Sequence, residues 1–521
     1  MSDHKISISG RNLSIEAIDR MVMHPRFEAS ITTEALKQVR SAETFLNEQT
    51  QHRIIYGINT GFGPMASHLL GKDQLDELQA NLINSHAVGM GEPVHWEYVL
   101  AAMVIRLNTL AIGKSGVSED LLQRLQLFIN RRVLPLVPEH GAVGTSGDLV
   151  QLAHISLALT GEGSVWFEGK IIPAREALKS LSLEPYQFKV KEGLAMINGT
   201  SMMTGIASRV CSESARLVDT ATRTGAWAME LVQGFEDSIS ERLHATRPHR
   251  GQQAIARRMR QFLSTSSLLR RRSEIETTKD LGEDVQKLPE AVQEVYSLRC
   301  IPQILGPVYD ALAKTWGDVE VEMNSVTDNP VVDWEAELFL HGGNFHGDVI
   351  AASIDQLKMT LVKLTMLTER RINYFLNHDI NKRFPPFLNI RKPGLTLALQ
   401  GLQFVATSTA AQSQSLGFPH YLHSIPTNGD NQDVVSMGAD AALLAAKVVD
   451  NAYVLLAIEA ITLAQAVNVL GVEDKLSESS RALYKLVREV FPVIDADRVL
   501  TDDLPKVVSL IKALPVDQPL A

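Results

Sequence analysis

The strongest hint of chemistry in this chain lies in Gly141-Ala142-Val143-Gly144-Thr145-Ser146-Gly147-Asp148-Leu149. A glycine nitrogen has no Cβ crowding it, so a backbone amide can fold back on a carbonyl two residues earlier. Attack by the Gly147 nitrogen on the Thr145 carbonyl carbon closes a five-membered ring. Loss of water from that ring, and of the Ser146 hydroxyl, leaves an exocyclic methylidene on an imidazolone. Such a group is a strong electrophile made with no external cofactor. Taken alone, the tripeptide reads more readily as a glycine-rich helix N-cap. A second segment, Tyr56-Gly57-Ile58-Asn59-Thr60-Gly61-Phe62-Gly63-Pro64, is too rich in glycine to be a regular helix. It reads as a loop with an aromatic at each end.

These two loops need elements to hold them. Ser14 with Glu16, and Thr32-Thr33-Glu34, open short helices within residues 13–50. Residues 73–87, with Leu75, Leu78, Leu82 and Ile83 on one face, are helical, as are 95–112 and 119–134. Asp148 begins an apolar helix through Leu159, and residues 164–172 form a hairpin around Glu168-Gly169. Beyond Asn198 the periodicity is that of long helices over 203–232, 252–265, 288–296, 303–324, 348–377, 395–415 and 433–470. The expected fold is mainly α: an irregular N-terminal domain, residues 1–200, carrying the tripeptide loop, then a long-helix bundle over 201–521.

Several motifs fail. Gly113-Lys114-Ser115 lacks the earlier glycine of a phosphate loop, since that position is Asn108. Gly144 to Asp148 lacks the closing glycine of a nucleophile elbow. His341 and His346 have no further ligands at metal spacing, so no metal is expected. The basic run Arg257 to Arg272 is followed at once by Glu274 and Glu276, and reads as a solvated or subunit-contacting face. A net charge of −10 argues against a nucleic-acid partner. Two cysteines, Cys211 and Cys300, make no disulfide framework and fit a reducing compartment. The apolar stretch Ala441 to Val472 carries Lys447, Asp450, Asn451 and Glu459, so a buried helix is expected rather than a membrane span. Met1 to Arg11 lacks the apolar run of a secretory signal, and a cytoplasmic protein is expected.

Taken in order along the chain, several segments resemble the histidine and aromatic amino-acid ammonia-lyase family. They are Tyr56 to Gly63, Gly144 to Leu149, Leu194-Ala-Met-Ile-Asn-Gly-Thr200, Tyr296-Ser-Leu-Arg-Cys300, Gly342-Gly-Asn-Phe-His346, Asn324-Ser with Asp328-Asn-Pro330, and Asn431-Gln-Asp433. The resemblance implies a mostly helical, fumarase/aspartase-like fold and a homotetramer in which several subunits contribute to each active site. It implies that Thr145, Ser146 and Gly147 form the methylidene-imidazolone, and that Tyr56 is the base for the β-proton. It further implies that Arg299 holds the substrate carboxylate in a bidentate pair, a geometry lysine does not match. Tyr296 and Asn198 would position electrophile and substrate, and Phe345 would pack beside the ring. Gln293, one turn before Tyr296 on a helix, would face the same pocket.

Two places speak to the substrate. The family's histidine-specific members carry a glutamate where this chain has Gln432, and a neutral amide lacks that attraction for imidazolium. Ser85-His86 occupies positions that contact the substrate ring; the pair occurs in histidine lyases and in bacterial tyrosine lyases of the aryl-polyene pigment type. The latter are also similar in His341 to Asp348 and in Tyr421-Leu-His-Ser-Ile-Pro426. A histidine left unpaired beside a bare phenyl ring costs about 1–3 kcal/mol. Tyrosine is therefore the expected substrate, ahead of phenylalanine or a ring-oxygenated analogue, then histidine. One departure matters: the usual tripeptide is Ala-Ser-Gly, and Thr145 occurs in some 2,3-aminomutases of the family. That keeps an aminomutase open beside the lyase, and a catalytically dead helical scaffold stands as the reading from another class.

Overall fold

The computed structural model describes residues 4–276, 284–285, 287–288 and 291–516. The chain is mainly helical, and the helices start where the residue pattern says they should. Ser14 caps the helix Ile15–Met23 by accepting from the Ala17 amide, and Thr32 caps Thr33–Gln49 through Ala35. Ile15, Ile18, Met21 and Val22 fall on one buried face of the first of these. The helix Trp96–Ala111 is buried on every side from Val99 onward, as its nearly unbroken apolar run requires. The strands Ser164–Phe167 and Lys170–Pro173 pair antiparallel around Glu168 and Gly169, both at positive φ (49° and 78°). That is the turn geometry whose twist suits a two-residue hairpin.

Four long helices follow: Ser201–Leu231, Ile301–Met323, Asp348–Leu376 and Gly438–Leu470. The expected segment 252–265 shifts to Arg250–Phe262, and 395–415 shortens to Gln400–Ser415. Leu397 and Ala398 instead give their amides to the Asp497 carboxylate, which halts helical bonding there. Of the expected segment 288–296, residues 289 and 290 lie outside the described residues. A helix begins only at Tyr296 and ends at Arg299. Gln293 therefore precedes this helix instead of sitting one turn along it, because Val295 is extended (φ −63°, ψ 158°) and acts as the N-cap.

By contacts the chain divides into two compact units, each built from three stretches, a cut different from one at residue 200. The first comprises Met1–Ser212, Lys314–Gln356 and Pro419–Ala446. The second comprises Glu213–Ala313, Leu357–Phe418 and Lys447–Ala521. Within the second, Arg371 forks onto Glu459, and Thr224 donates to the same carboxylate at 2.7 Å. Arg371 and Glu459 are almost wholly buried, and their pairing lets a charged side chain sit inside the apolar helix Gly438–Leu470. That helix is long and apolar enough to cross a membrane by composition alone, and 78% of its most apolar window is buried in the protein.

Candidate active site

A cavity of about 800 Å³ lies in the first unit, and Thr145, Ser146 and Gly147 line it. The loop that carries them is held by backbone. Gly144 and Gly147 both adopt φ of 75°. A Cβ on Gly147 would lie 2.1 Å from the Gly199 carbonyl oxygen, and one on Gly144 would lie 2.0 Å from Ser436 Oγ. Only glycine fits either place. The Asp148 amide donates to Gly199 O at 2.8 Å, and Gly347 N donates to Gly144 O at 3.1 Å. Ser436 Oγ donates to the same Gly144 carbonyl at 3.0 Å. Asp148 accepts from Met203 N at 2.8 Å, in the first turn of the helix Ser201–Leu231. Burial nevertheless pushes the Asp148 carboxyl up to about 7. A glycine nitrogen with no tolerance for a side chain, on a loop pinned at both ends, suits formation of the methylidene-imidazolone from this tripeptide.

Gln432 touches the tripeptide directly. Thr145 Oγ1 donates to Gln432 Oε1 at 2.7 Å, and Gln432 Nε2 donates to Ser146 Oγ at 2.9 Å. A residue expected at the substrate ring thus also bridges the two hydroxyls that flank the reacting peptide.

Tyr56 lines the same cavity. Its loop is organised by Asn59, whose side chain accepts from Ile55 N (2.7 Å) and donates to Arg53 O (2.8 Å). Thr60 Oγ1 accepts from Gly57 N at 3.0 Å. The Gly63 amide donates to the Tyr56 phenol oxygen at 3.1 Å, an N–H aimed where negative charge would develop. Ser85 and His86 end the helix Leu75–His86 and line the cavity. His86 Nδ1 lies 2.8 Å from the Leu82 carbonyl oxygen. A carbonyl only accepts, so Nδ1 carries the hydrogen and Nε2 of the neutral ring is left as an acceptor.

Asn198 and Phe345 also line the cavity. Asn198 Nδ2 donates to Asn329 O at 3.0 Å and to Asp328 Oδ1 at 3.4 Å. Beneath them Lys191 Nζ meets Asp328 Oδ2 at 2.6 Å, both side chains fully buried. Arg106, also buried, donates to the carbonyls of Ala195 and Thr327. Sequence reasoning placed Asp328 in a family-like segment without giving it a role and did not single out Lys191 or Arg106, which nothing in their neighbours along the chain marks.

Gln293, Tyr296 and Arg299 are not brought to this cavity. They belong to the second unit and line none of it. Tyr296 is 67% exposed, and the Arg299 guanidinium stacks 4.7 Å from its ring centroid while Nε donates to Glu294 O. No lysine or arginine occurs among the described residues that line the cavity.

Comparison with known proteins bears on this arrangement. The family model for aromatic amino acid lyase matches residues 13–489. An MIO-dependent tyrosine 2,3-aminomutase from Streptomyces globisporus is 38% identical over 507 residues, 96% of this chain and 93% of that protein. A histidine ammonia-lyase from Bacillus subtilis is 36% identical over 508 residues, 97% of this chain and 96% of that protein. The crystal structure of the S. globisporus tyrosine aminomutase superposes with a TM-score of 0.94 at 36% identity, covering 98% of this chain and 97% of the other. That of a phenylalanine aminomutase from Pantoea agglomerans gives 0.93 at 32% identity, covering 98% and 99%.

Proposed function

This chain belongs to the aromatic amino acid lyase family, and on that premise we propose that it eliminates ammonia from L-tyrosine to give trans-p-coumarate. Its prosthetic group is the methylidene-imidazolone made from Thr145-Ser146-Gly147, with no external cofactor. Once formed, that group supplies an electrophile for the substrate amine, turning a poor leaving group into a better one. The chain's own residues do the rest. Tyr56, on a loop glycine-rich enough to close and exclude water, takes the β-proton. Asn198, steadied by Asp328 and Asn329, and Phe345 position substrate and ring. Arg299 holds the carboxylate from a neighbouring subunit of a homotetramer, with Tyr296 positioning electrophile and substrate and Gln293 facing the same pocket. Support for that sharing is the lack of any lysine or arginine among the described residues lining the cavity.

The observation that carries the substrate choice is the 2.8 Å approach of His86 Nδ1 to the Leu82 carbonyl oxygen. With Nδ1–H committed to Leu82 O, Nε2 offers an acceptor to a phenol O–H. Phenylalanine has no donor to give it, and Gln432 offers an imidazolium no charge. The second reading is a tyrosine 2,3-aminomutase, favoured by the Thr145 hydroxyl that ties Gln432 to the tripeptide where the family's usual residue is alanine.

Purified protein incubated with tyrosine, phenylalanine and histidine separates the readings. Coumarate absorbance from tyrosine supports the lyase; β-tyrosine outpacing coumarate on chromatography establishes the mutase. Intact mass should be lower than the sequence mass by about 36 Da, two waters, a covalent change made by the chain itself. A Ser146→Ala protein as active as the parent would refute the whole scheme.

A further inference from the structure

The cavity is lined by one more titratable side chain, His346, which the elimination described above leaves unused. We propose that His346, oriented by Asp348, is the base that accepts the proton of the substrate ammonium group. This rests on the elimination reading. An amino acid arrives with its nitrogen protonated, and a protonated nitrogen has no lone pair to offer an electrophile.

His346 lines the same cavity as Ser146, to which the substrate nitrogen would add. The bond from Gly347 N to Gly144 O at 3.1 Å ties the 345–347 corner to the loop bearing Ser146. His346 N donates to Gly343 O at 2.9 Å, and the side chain, half-buried, lines the cavity. Its Nε2 lies 3.2 Å from Asp348 Oδ2, in the first turn of the helix Asp348–Leu376. A carboxylate accepts, so Nε2 carries the hydrogen and Nδ1 keeps the lone pair; a proton gained at Nδ1 makes an imidazolium that Asp348 offsets. The other titratable groups lining the cavity are Tyr56, His86 and Asp433. Tyr56 serves the β-carbon, the free Nε2 of His86 serves the substrate phenol, and carboxylates are weaker bases than imidazole.

The step balances without an oxidant. An N–H bond of the ammonium breaks and its proton moves to Nδ1. When the C–N bond later breaks, the electron pair stays on nitrogen and the proton returns to it. With the β-proton passed on from Tyr56, nitrogen leaves as ammonium and the acid as its carboxylate.

The test compares parent, His346→Gln, His346→Gly and Asp348→Asn. Intact mass comes first: each should show the same loss of about 36 Da, which separates this role from ring formation. Tyrosine kcat/KM of His346→Gln should then fall about 10²–10⁴-fold at pH 7, the range for a positioned proton-transfer group. Its acidic limb between pH 5 and 8 should vanish, and the deficit should shrink toward pH 10, where free substrate carries a neutral amine. Added imidazole should partly restore His346→Gly, and Asp348→Asn should lose about tenfold with a displaced acidic limb. A fully matured His346→Gln within about threefold of the parent, with the same pH profile, overturns the proposal. A parent that neither loses the two waters nor turns over any aromatic amino acid overturns the elimination reading instead, and this inference with it.

Discussion

Lys191→Met tests how the floor of the cavity is held. In the parent, Lys191 Nζ and Asp328 Oδ2 are 2.6 Å apart with no exposure on either side chain. Burial pulls the Lys191 ammonium below its usual range, and Asp328 opposes this. Removing the ammonium leaves the carboxylate with two donors, Asn329 N at 2.7 Å and Asn198 Nδ2 at 3.4 Å. Unpaired buried charges of this kind cost about 3–5 kcal/mol. The cost has a ceiling, because the carboxyl can take up a proton. Against a reference value of ~3.9 and about 1.36 kcal/mol per pH unit, that ceiling is about 4 kcal/mol at pH 7 and about 1.5 kcal/mol at pH 5. In the variant the folded chain binds this proton more tightly than the unfolded chain, so the penalty is present above pH ~4 and fades as pH falls toward it. Thermal melts followed by far-ultraviolet circular dichroism at pH 5, 7 and 8 read this out. The gap between parent and variant should be about twofold or more larger at pH 8 than at pH 5. The double variant Lys191→Met/Asp328→Asn should recover most of it at every pH. A gap independent of pH, or one that widens in acid, would refute the reasoning.

Gly147→Ala should abolish cyclisation, because the added Cβ meets Gly199 O at 2.1 Å with φ at 75°; intact mass at the full sequence value, with no loss of two waters, is the expected result. Asp148 should make stability fall as pH rises from about 4 to about 7, since its carboxyl, raised to about 7 by burial, binds its proton more tightly in the folded chain. Asp148→Asn should remove that slope, so the melting temperature of the variant gains on the parent between pH 5 and 8. Arg371→Leu should cost about 3–5 kcal/mol by leaving Glu459 buried with, among the described residues, only the Thr224 hydroxyl, and Arg371→Leu/Glu459→Leu should recover most of it in denaturant titrations.

Much of this protein is legible in runs of adjacent residues. The atoms of the ring closure all belong to Thr145-Ser146-Gly147, so the tripeptide shows what chemistry is open to it, but Ser9-Gly10 and Ser115-Gly116 carry the same serine–glycine pair and only the other family-like segments single it out. Helix periodicity marks Ser201–Leu231, Asp348–Leu376 and Gly438–Leu470 within a few residues of their ends, because burying one face imposes a repeat of 3.6. The caps at Ser14 and Thr32, and the hairpin at Glu168-Gly169, are equally local. What tertiary structure alone decided is which distant side chains meet. Gln432 reaches Thr145 across 287 residues and Lys191 reaches Asp328 across 137, at distances where a hydrogen bond exists or fails within an ångström. No periodicity carries that information. Nor does it show that Tyr296 and Arg299, adjacent in the motif order, line none of the cavity that holds Ser146. Local propensity and covalent chemistry are properties of neighbouring residues, whereas a site is a set of atoms within about 3 Å of one another, and only the folded chain puts them there.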